Sequence, residues 1–257
     1  MKITWLGTAS IRIESCGQRL LFDPFVQLAG GSNPNTLEDF EGVTDICVTH
    51  GHVDHLFFVP QLVEASDASV HCPAAAADTL EDWLEDCGNV IVTRPGDAWH
   101  VGTVKITAYK GAHVSFSLPL VLRTLFSVRL LRYLRNALFL AWAHVRFPER
   151  RDTLAYCLEA EGKRILILGS LALDAQTEYP KNVDLLVLPF QGKSEPCAAA
   201  CAVVERLMPK RILLDHFDDA FPPISSEVDT RRFCREMAAR FPHIQVAKPK
   251  AGKTITL

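Results

Sequence analysis

Two segments of the chain repeat the same pattern of apolar and polar positions. Residues 13–22 (IESCGQRLLF) and residues 158–167 (LEAEGKRILI) each combine an alternating stretch, a glycine turn and a second, more continuously apolar stretch. Two apolar runs separated by such a turn are typical of a β-hairpin. The same hairpin early in both halves of the chain predicts a pseudo-duplicated architecture.

The remaining apolar runs divide into short stretches typical of strands and longer stretches with helical spacing. The predicted strands are 45–48, 90–93, 104–109, 184–188, 211–214 and 254–257, and residues 1–5 also alternate. The predicted helices are 55–65, 74–85, 195–207 and 226–240. Strand-rich halves with interspersed helices indicate sheets whose faces are covered by helices.

One segment, residues 118–147 (LPLVLRTLFSVRLLRYLRNALFLAWAHVRF), interrupts this pattern with many apolar residues, five arginines and no acidic residue. Arg129, Arg132 and Arg135 recur at every third position, which predicts that they lie along one side of a helix. Two interpretations stay open. The segment is either a basic amphipathic element that touches a membrane surface or covers an apolar substrate site, or a helix pair packed on the body of the protein or on another subunit.

The composition narrows the function mainly by exclusion. The 257 residues include 27 lysines and arginines against 30 aspartates and glutamates, a formal net charge of −3. A nucleic-acid-binding protein usually has a basic excess, so no nucleic-acid partner is expected. The eight cysteines show no paired framework, which favours a reducing, cytoplasmic location. No uncharged apolar run reaches the ~18 residues that a bilayer-spanning helix needs.

The candidate chemistry is concentrated in one short turn, VTHGHVDHL at residues 48–56, which holds three of the nine histidines. His50 and His52 follow a predicted strand two positions apart, so in an extended segment their side chains point the same way. Asp54 and His55 come where a helical pattern begins. Imidazole and carboxylate are ordinary ligands for Zn²⁺, Fe and Mn²⁺. Four such groups on one turn favour two pairs that face two neighbouring ions, as in two-metal hydrolytic sites.

The motif THGHVDH at residues 49–55 resembles the signature of the metallo-β-lactamase superfamily. WLG at residues 5–7 and LFDP at residues 21–24 are similar to the opening of the branch that contains ascorbate-phosphate lactonase-like hydrolases and N-acyl-phosphatidylethanolamine phospholipase D-like proteins. The resemblance implies an α/β fold, a four-layer αββα sandwich of two pseudo-duplicated halves. Residues 1–257 would form one such domain, with a helical basic and apolar insertion at 118–147.

The same resemblance implies a set of metal ligands. His113, just after a predicted strand, matches the third histidine of the superfamily, and His216, just after another, resembles its last histidine. The first ion would be held by His50, His52 and His113, and the second by Asp54, His55 and His216. Asp54 would also orient the attacking water and so act as the catalytic residue.

The sequence departs from the superfamily pattern at the bridging carboxylate. The superfamily usually has Gly-Asp-Thr where this chain reads Gly169-Ser170-Leu171. A neutral hydroxyl neither bridges two cations well nor offsets their charge, so the second ion is expected to bind more weakly. Asp23 and Asp174 are additional candidates for the missing carboxylate. Thr8 is a second departure, because this branch often has histidine there.

The other histidines have no ligand-like neighbours along the chain, and all four are interpreted as non-ligands. His71 falls within a strand, His100 in a turn between strands, His144 in the insertion, and His243 follows Pro242.

These observations predict a hydrolase with one or two divalent ions, zinc first and Fe or Mn²⁺ as alternatives. A hydroxide generated on the metal would attack a phosphodiester, an ester or a lactone. The apolar, arginine-bearing insertion favours a lipid-like substrate over a small polar sugar phosphate and allows peripheral membrane contact. A non-catalytic or weakly active metal-binding or ligand-sensing protein is the alternative, because the bridging aspartate is missing. The oligomeric state is left open.

Overall fold

The computed structural model describes residues 1–84, 87–114, 128–193 and 195–257, and within these residues the strands form two seven-stranded sheets. The strands of the first sheet are β1 (Lys2–Trp5), β2 (Ile11–Ser15), β3 (Gln18–Phe22), β4 (Asp45–Cys47), β5 (Ser69–Cys72), β6 (Val90–Val92) and β14 (Thr254–Thr256). The strands of the second sheet are β7 (Ala98–Val101), β8 (Val104–Lys110), β9 (Leu154–Ala160), β10 (Lys163–Leu168), β11 (Leu185–Pro189), β12 (Arg211–Asp215) and β13 (Gln245–Ala247).

The two sheets repeat one pairing pattern. Strands β1, β2 and β3 pair antiparallel, and β4, β5 and β6 follow β3 in parallel. In the second sheet β7 to β10 pair antiparallel, and β11, β12 and β13 follow β10 in parallel. The predicted hairpins are β2–β3 and β9–β10, and each one joins the antiparallel and parallel parts of its sheet. The predicted pseudo-duplication is therefore confirmed at the level of strand topology.

Helices cover the outer faces of the sheets. In chain order they are α1 (Val53–Leu56), α2 (Val59–Ser66), α3 (Ala74–Glu81), α4 (Val128–Arg132), α5 (Leu134–Arg146), α6 (Pro196–Leu207) and α7 (Arg231–Arg240), with a 3₁₀ turn at Leu37–Phe40. Among the described residues, no helix combines the length and the apolar character that crossing a bilayer requires.

The alternation of side chains along the strands builds the layers. Ile13 and Phe22 of the first sheet share one core with Ile106 and Leu158 of the second sheet, so the sheets pack face to face. Leu21, whose side chain points the other way, belongs to a second core with Leu56, Leu62 and Leu80 of α1 to α3. Val204 of α6 and Phe233 of α7 pack on the second sheet. The expected αββα sandwich is confirmed.

Every predicted strand is present, but His100 was placed wrongly. His100 lies within β7, opposite Lys105 of β8, and not in a turn. Strands β7 and β13 were not predicted, and both are short and largely exposed at the edges of their sheet. Such edge strands lack the apolar runs by which buried strands are found.

Three predicted helices differ in extent from the structure. The helix expected over 55–65 is two helices, α1 and α2, because Pro60 cannot donate a backbone hydrogen bond and instead occupies the first turn of α2. The helix expected over 226–240 is helical only from Arg231. The N–H of Val228 donates to the Phe217 carbonyl at 2.8 Å, which holds the preceding residues in an extended path. The helix over 74–85 ends at Glu81, and residue 85 lies outside the described residues.

In the described part of the insertion, residues 128–147, the chain forms α4 and α5; the expectation for 118–127 falls outside the described residues. The prediction that Arg129, Arg132 and Arg135 share one side of a single helix is wrong. The helices are separated at Tyr133, whose φ of −115° and ψ of 38° are not helical. The arginine spacing carries no information about this break, because Tyr133 is compatible with either conformation.

Candidate metal centre

The turn at residues 48–56, which carries four of the predicted ligands and is called the ligand turn below, lies where a central strand of the first sheet ends. β4 runs between β3 and β5, and the residues after Cys47 leave the sheet at its carboxyl edge. His52 is extended (φ −66°, ψ 153°) and directly precedes α1, which carries Asp54 and His55. The change from extended chain to helix lets one short turn present side chains in two directions.

Three histidines converge on one side of this turn. His50 Nε2 lies 3.1 Å from His52 Nδ1. His113, which follows β8, has its ring centroid 4.8 Å from that of His50 and 4.6 Å from that of His52. One ligand atom from each residue lies within 4.8 Å of the others. We call this group the first trio. His50 and His52 follow a strand of the first sheet and His113 follows a strand of the second, so the trio brings the two sheets together.

A second trio consists of Asp54, His55 and His216 and lies beside the first, since the ring centroids of His50 and His55 are 4.0 Å apart. Asp54 Oδ2 lies 3.1 Å from His216 Nε2 and 3.6 Å from His55 Nε2. His216 directly follows β12 with a φ of 52°, a left-handed conformation that turns the chain sharply at the strand end. The candidate ligand atoms again lie within 4.8 Å of one another.

Burial sets the charge of the first trio. Removal from water lowers the pKa of His52 to about 4 and lowers the pKa values of His50 and His113 as well, and neighbouring imidazoles lower that of His50 further. These three side chains are therefore neutral at pH 7. Neutral imidazoles have the free lone pairs that a metal ion requires.

The second trio carries charge instead. Burial opposes ionisation of Asp54, but the adjacent His55 and His216 outweigh it and lower the pKa of that carboxyl. Burial also opposes charge on His55, yet Asp23 and Asp54 raise its pKa to about 9 in the metal-free protein. An anionic oxygen between two imidazoles is suited to a cation.

Asp23 orients His55 from behind. The residue directly follows β3 in a left-handed conformation (φ 46°) and is 1% exposed. Its Oδ2 lies 3.0 Å from His55 Nδ1 and accepts a hydrogen bond from the Thr49 hydroxyl at 2.8 Å, while its Oδ1 accepts one from the Thr49 N–H at 2.7 Å. Both oxygens are thus engaged behind the ligands. Carboxylates that hold a ligating histidine in this way fix its tautomer and ring orientation.

Thr49 connects the two trios, and the sequence analysis missed it. Its hydroxyl donates to Asp23, which leaves its lone pairs for the Nδ1 of His50 at 3.0 Å and of His55 at 3.4 Å. A proton on His50 Nδ1 leaves Nε2 with the lone pair that faces the trio. From the sequence, only its position could have indicated this role, because Thr49 stands between the end of β4 and His50.

Ser170 and Asp174 have other partners in the structure. The Ser170 hydroxyl accepts the N–H of Val114 at 3.2 Å and so lies one residue from His113. Asp174 accepts hydrogen bonds from the N–H groups of Gln176 and Thr177 and lies 3.6 Å from Lys110 Nζ, so it closes its own turn outside both trios. Neither belongs to the two ligand groups found among the described residues.

Several unpaired polar atoms surround the second trio. Thr8 Oγ1, Asp215 Oδ1 and His216 Nδ1 are buried and have no hydrogen-bond partner in the described part of the chain. Thr8 and His216 are directly linked, because the His216 N–H donates to the Thr8 carbonyl at 2.7 Å. Burial, together with the nearby Asp23, raises the pKa of Asp215 well above its usual value. The sequence analysis did not select Asp215, although it directly precedes His216.

The other histidines have structural surroundings. His71 stacks on Trp99 with ring centroids 4.2 Å apart, and its Nε2 lies 3.6 Å from a carboxylate oxygen of Asp45. His100, His144 and His243 are exposed. In the residues that the structure describes, none of these four belongs to a metal-binding group.

The donor set fits a divalent ion of intermediate softness. The first trio offers neutral nitrogens and the second adds one carboxylate. The buried Nδ1 of His216 has no hydrogen-bond partner among the described residues. Nitrogen and oxygen ligands of this kind suit Zn²⁺, Fe or Mn²⁺.

Comparison with known proteins identifies the family of this chain. A UPF0173 protein of Pyrococcus furiosus is 27% identical over 244 residues, which cover 93% of this chain and 92% of the relative. A UPF0173 metal-dependent hydrolase of Ligilactobacillus salivarius is 25% identical over 238 residues, with 89% and 90% coverage. The solved structure of Igni18, a metallo hydrolase from Ignicoccus hospitalis, superposes with a TM-score of 0.67 at 16% identity over 99% of this chain and 97% of that one. A sequence profile described as the beta-lactamase superfamily domain matches residues 2–216, and the chain therefore belongs to that family.

Proposed function

We propose that the protein is a metal-dependent hydrolase that holds one or two divalent ions, zinc first and Fe or Mn²⁺ as alternatives, between the two trios. The observation that carries this proposal is the pair of adjacent three-residue groups around one turn, in which the ring centroids of His50 and His55 lie 4.0 Å apart. The hydrolase names of the relatives support the same reaction class.

Each trio has its own part in the proposed reaction. A divalent ion, when bound, lowers the pKa of coordinated water and polarises the bond that is attacked. His50, His52 and His113 would hold the first ion as neutral ligands, and Asp54, His55 and His216 would hold the second. Asp54 is ionised at neutral pH, so its carboxylate accepts a hydrogen bond from the attacking water and orients it. Asp54 is thus the proposed catalytic residue.

Asp23 and Thr49 act through the ligands. Their hydrogen bonds would keep the Nδ1 of His50 and His55 protonated, so that Nε2 is the atom each ring would offer to a metal ion. His55 is protonated on both nitrogens in the metal-free protein and would release the Nε2 proton on binding. Both side chains are buried, and they prevent rotation of the imidazoles when the ion leaves.

The proposed substrate is a phosphodiester, ester or lactone with an apolar portion. Phe57 follows the ligand helix α1 directly and meets Phe139 of α5 with ring centroids 5.0 Å apart and Trp142 at 6.4 Å. This aromatic wall beside the ligand helix supports a lipid-like substrate. The similarity of WLG and LFDP to the lactonase-like and phospholipase D-like branches supports the same range. The proposed partners are therefore this substrate and, through 118–147, a membrane surface.

We extend the proposal to organisation and location. Residues 1–257 form one domain, because β14 near the end of the chain pairs with β1 and completes the first sheet, and 118–147 is its insertion. A cytoplasmic location is supported by the eight cysteines, all of which are free thiols.

A metal-binding or ligand-sensing protein with little activity is the second candidate, and Ser170 favours it. Its hydroxyl replaces the carboxylate that usually offsets the charge of two ions, and it is already bonded to Val114. The second ion would then bind weakly, and turnover would be low.

Turnover of bis-p-nitrophenyl phosphate separates the two candidates. We expect turnover in zinc-loaded protein, loss of turnover after chelation, and recovery when zinc is restored. Asp54→Asn should lower turnover by about 100-fold or more, while Asp174→Asn, a control at a carboxylate outside both trios, should not. No turnover of this ester, of p-nitrophenyl acetate or of a simple lactone by loaded protein would favour the sensing role.

A further inference from the structure

The outward side of α4 and α5 is apolar and uncovered. Val128, Leu131, Leu138 and Val145 are 83, 78, 65 and 77% exposed, and Leu134 is half exposed. In α5 the three most exposed large apolar residues are at 134, 138 and 145, a spacing that places them on one stripe. Soluble proteins rarely leave such a continuous apolar stripe in water without an interaction to make there. We call these five residues the outer face.

The helices behind the outer face are firmly attached. Asn136 donates two hydrogen bonds, to the carbonyls of Ala29 and Pro222, both at 2.9 Å. Arg129 pairs with Asp219, and Ala143 is fully buried. The exposure of the outer face therefore belongs to packed helices and not to a fraying segment.

Positive charge borders the outer face. Residues 128–147 contain four arginines and no acidic residue, although the whole chain has a net charge of −3. Arg132, Arg135 and Arg146 are exposed and make no ion pair within the described residues. Arg135 and Arg146 each follow an outer-face residue by one position, so they lie along its edge.

This combination of charges decides between two occupants. A second copy in a two-fold dimer would bring the same patch against itself, and residues 128–147 would offer these arginines no acidic partner. A membrane with anionic lipids offers both an apolar interior for the leucines and negative headgroups for the arginines. The charge complementarity favours the membrane.

We propose that the outer face, with Arg132, Arg135 and Arg146, docks the protein on an anionic membrane surface. The inner side of α5 contacts α1, which carries Asp54 and His55, through the Phe139–Phe57 ring pair. The docked surface thus lies next to the ligand helix. Docking requires no hydrolysis; only the consequence that the enzyme takes its substrate from the bilayer rests on the proposed function.

Sedimentation with vesicles tests the docking. Wild-type protein should sediment with phosphatidylcholine vesicles in which about one lipid in three is phosphatidylserine. It should sediment much less with vesicles of phosphatidylcholine alone. Combined replacement of Arg132, Arg135 and Arg146 by Gln should weaken binding by about fivefold per arginine, about 100-fold together. Combined replacement of Leu131, Leu138 and Val145 by Gln should weaken it at least as much, because the apolar contact is lost.

The controls change equivalent residues on other surfaces. Arg94→Gln, Arg211→Gln and Arg232→Gln together remove the same charge from exposed sites elsewhere, and Ile91→Gln with Val92→Gln removes exposed apolar groups from β6. Both control variants should bind as wild type. Because every changed residue is exposed, we expect the thermal unfolding temperature of all variants to equal that of the wild type. That result would show that the variants are folded.

Three results would overturn the proposal. The first is that the wild-type protein does not sediment with anionic vesicles. The second is that the control variants lose vesicle binding as much as the outer-face and arginine variants do. The third is that the wild type is a dimer in solution and the outer-face substitutions dissociate it. Hydrolysis of bis-p-nitrophenyl phosphate, a soluble ester, is measured separately on the same proteins. Vesicle binding by zinc-loaded protein that hydrolyses neither this ester, p-nitrophenyl acetate nor a simple lactone leaves the docking intact and counts against the proposed function. Hydrolysis without vesicle binding does the reverse.

Discussion

Replacement of Asp23 by asparagine removes the charge behind His55 and leaves the shape of the side chain almost unchanged. In the wild type one carboxylate serves three donors: the Thr49 N–H at 2.7 Å, the Thr49 hydroxyl at 2.8 Å and His55 Nδ1 at 3.0 Å. The asparagine oxygen can keep the first of these. Its NH₂ group then faces the other two donors, and both hydrogen bonds are lost in a site that is 1% exposed.

The cost follows from these contacts. A hydrogen bond to a charged group contributes roughly 1.5–3 kcal/mol, and the two lost bonds share one acceptor and are not additive. We expect the free energy of unfolding of the metal-free protein to fall by about 2–4 kcal/mol. Loss of a carboxylate that orients a ligating histidine should also weaken zinc at the second trio by about 10–100-fold. Zinc at the first trio should weaken less, because Asp23 reaches that trio only indirectly, through the Thr49 hydroxyl that lies 3.0 Å from His50 Nδ1.

Chemical denaturation and calorimetric titration of zinc into chelator-treated protein measure the two effects. The matched control is Asp45→Asn, a buried carboxylate whose neighbouring His71 is outside both trios. The control should lower stability without a change in zinc binding. If Asp23→Asn lowers stability and leaves both zinc affinities at the wild-type values, Asp23 is only structural and the orienting role is refuted.

Three further substitutions test other parts of the account. Ser170→Asp should tighten the weaker zinc site in a calorimetric titration by about tenfold or more, because a carboxylate near both trios offsets ionic charge; two equally tight sites in the wild type, unchanged by the substitution, would remove Ser170 from the bridging position. His52→Ala should lower bound metal by at least one equivalent in elemental analysis, and wild-type metal content would show that the first trio is assigned wrongly. Asn136→Ala should destabilise the protein by about 1–3 kcal/mol in urea, because two buried carbonyls lose their donor, whereas a change of only a few tenths would mean that Asn136 does not anchor α5.

The sequence was sufficient for the features that depend on local pattern. Both hairpins could be read from apolar runs around a glycine, and the duplication of these hairpins anticipated the matching topology of the two sheets. The ligand turn could be found because its residues are close together along the chain. The implied ligands His113 and His216 lie far from that turn in sequence, and only the resemblance to a superfamily pointed to them.

The contacts behind the ligands could not be read in the same way. Asp23 and Thr49 are 26 residues apart in sequence, and their contact depends on the left-handed backbone of Asp23. Nothing local distinguishes a carboxylate that bridges ions from one that orients a ligand. The contacts of α5 escaped for a related reason: Asn136 donates to the Pro222 carbonyl, and that contact spans 86 residues.

Anomalous scattering at the zinc edge from crystals of zinc-loaded wild-type protein tests the central claim most directly. The account predicts a strong peak about 2.0–2.1 Å from one nitrogen each of His50, His52 and His113, and a weaker peak about 3.5–4 Å away beside Asp54, His55 and His216. Zinc peaks elsewhere on the molecule, with neither trio occupied, would contradict it.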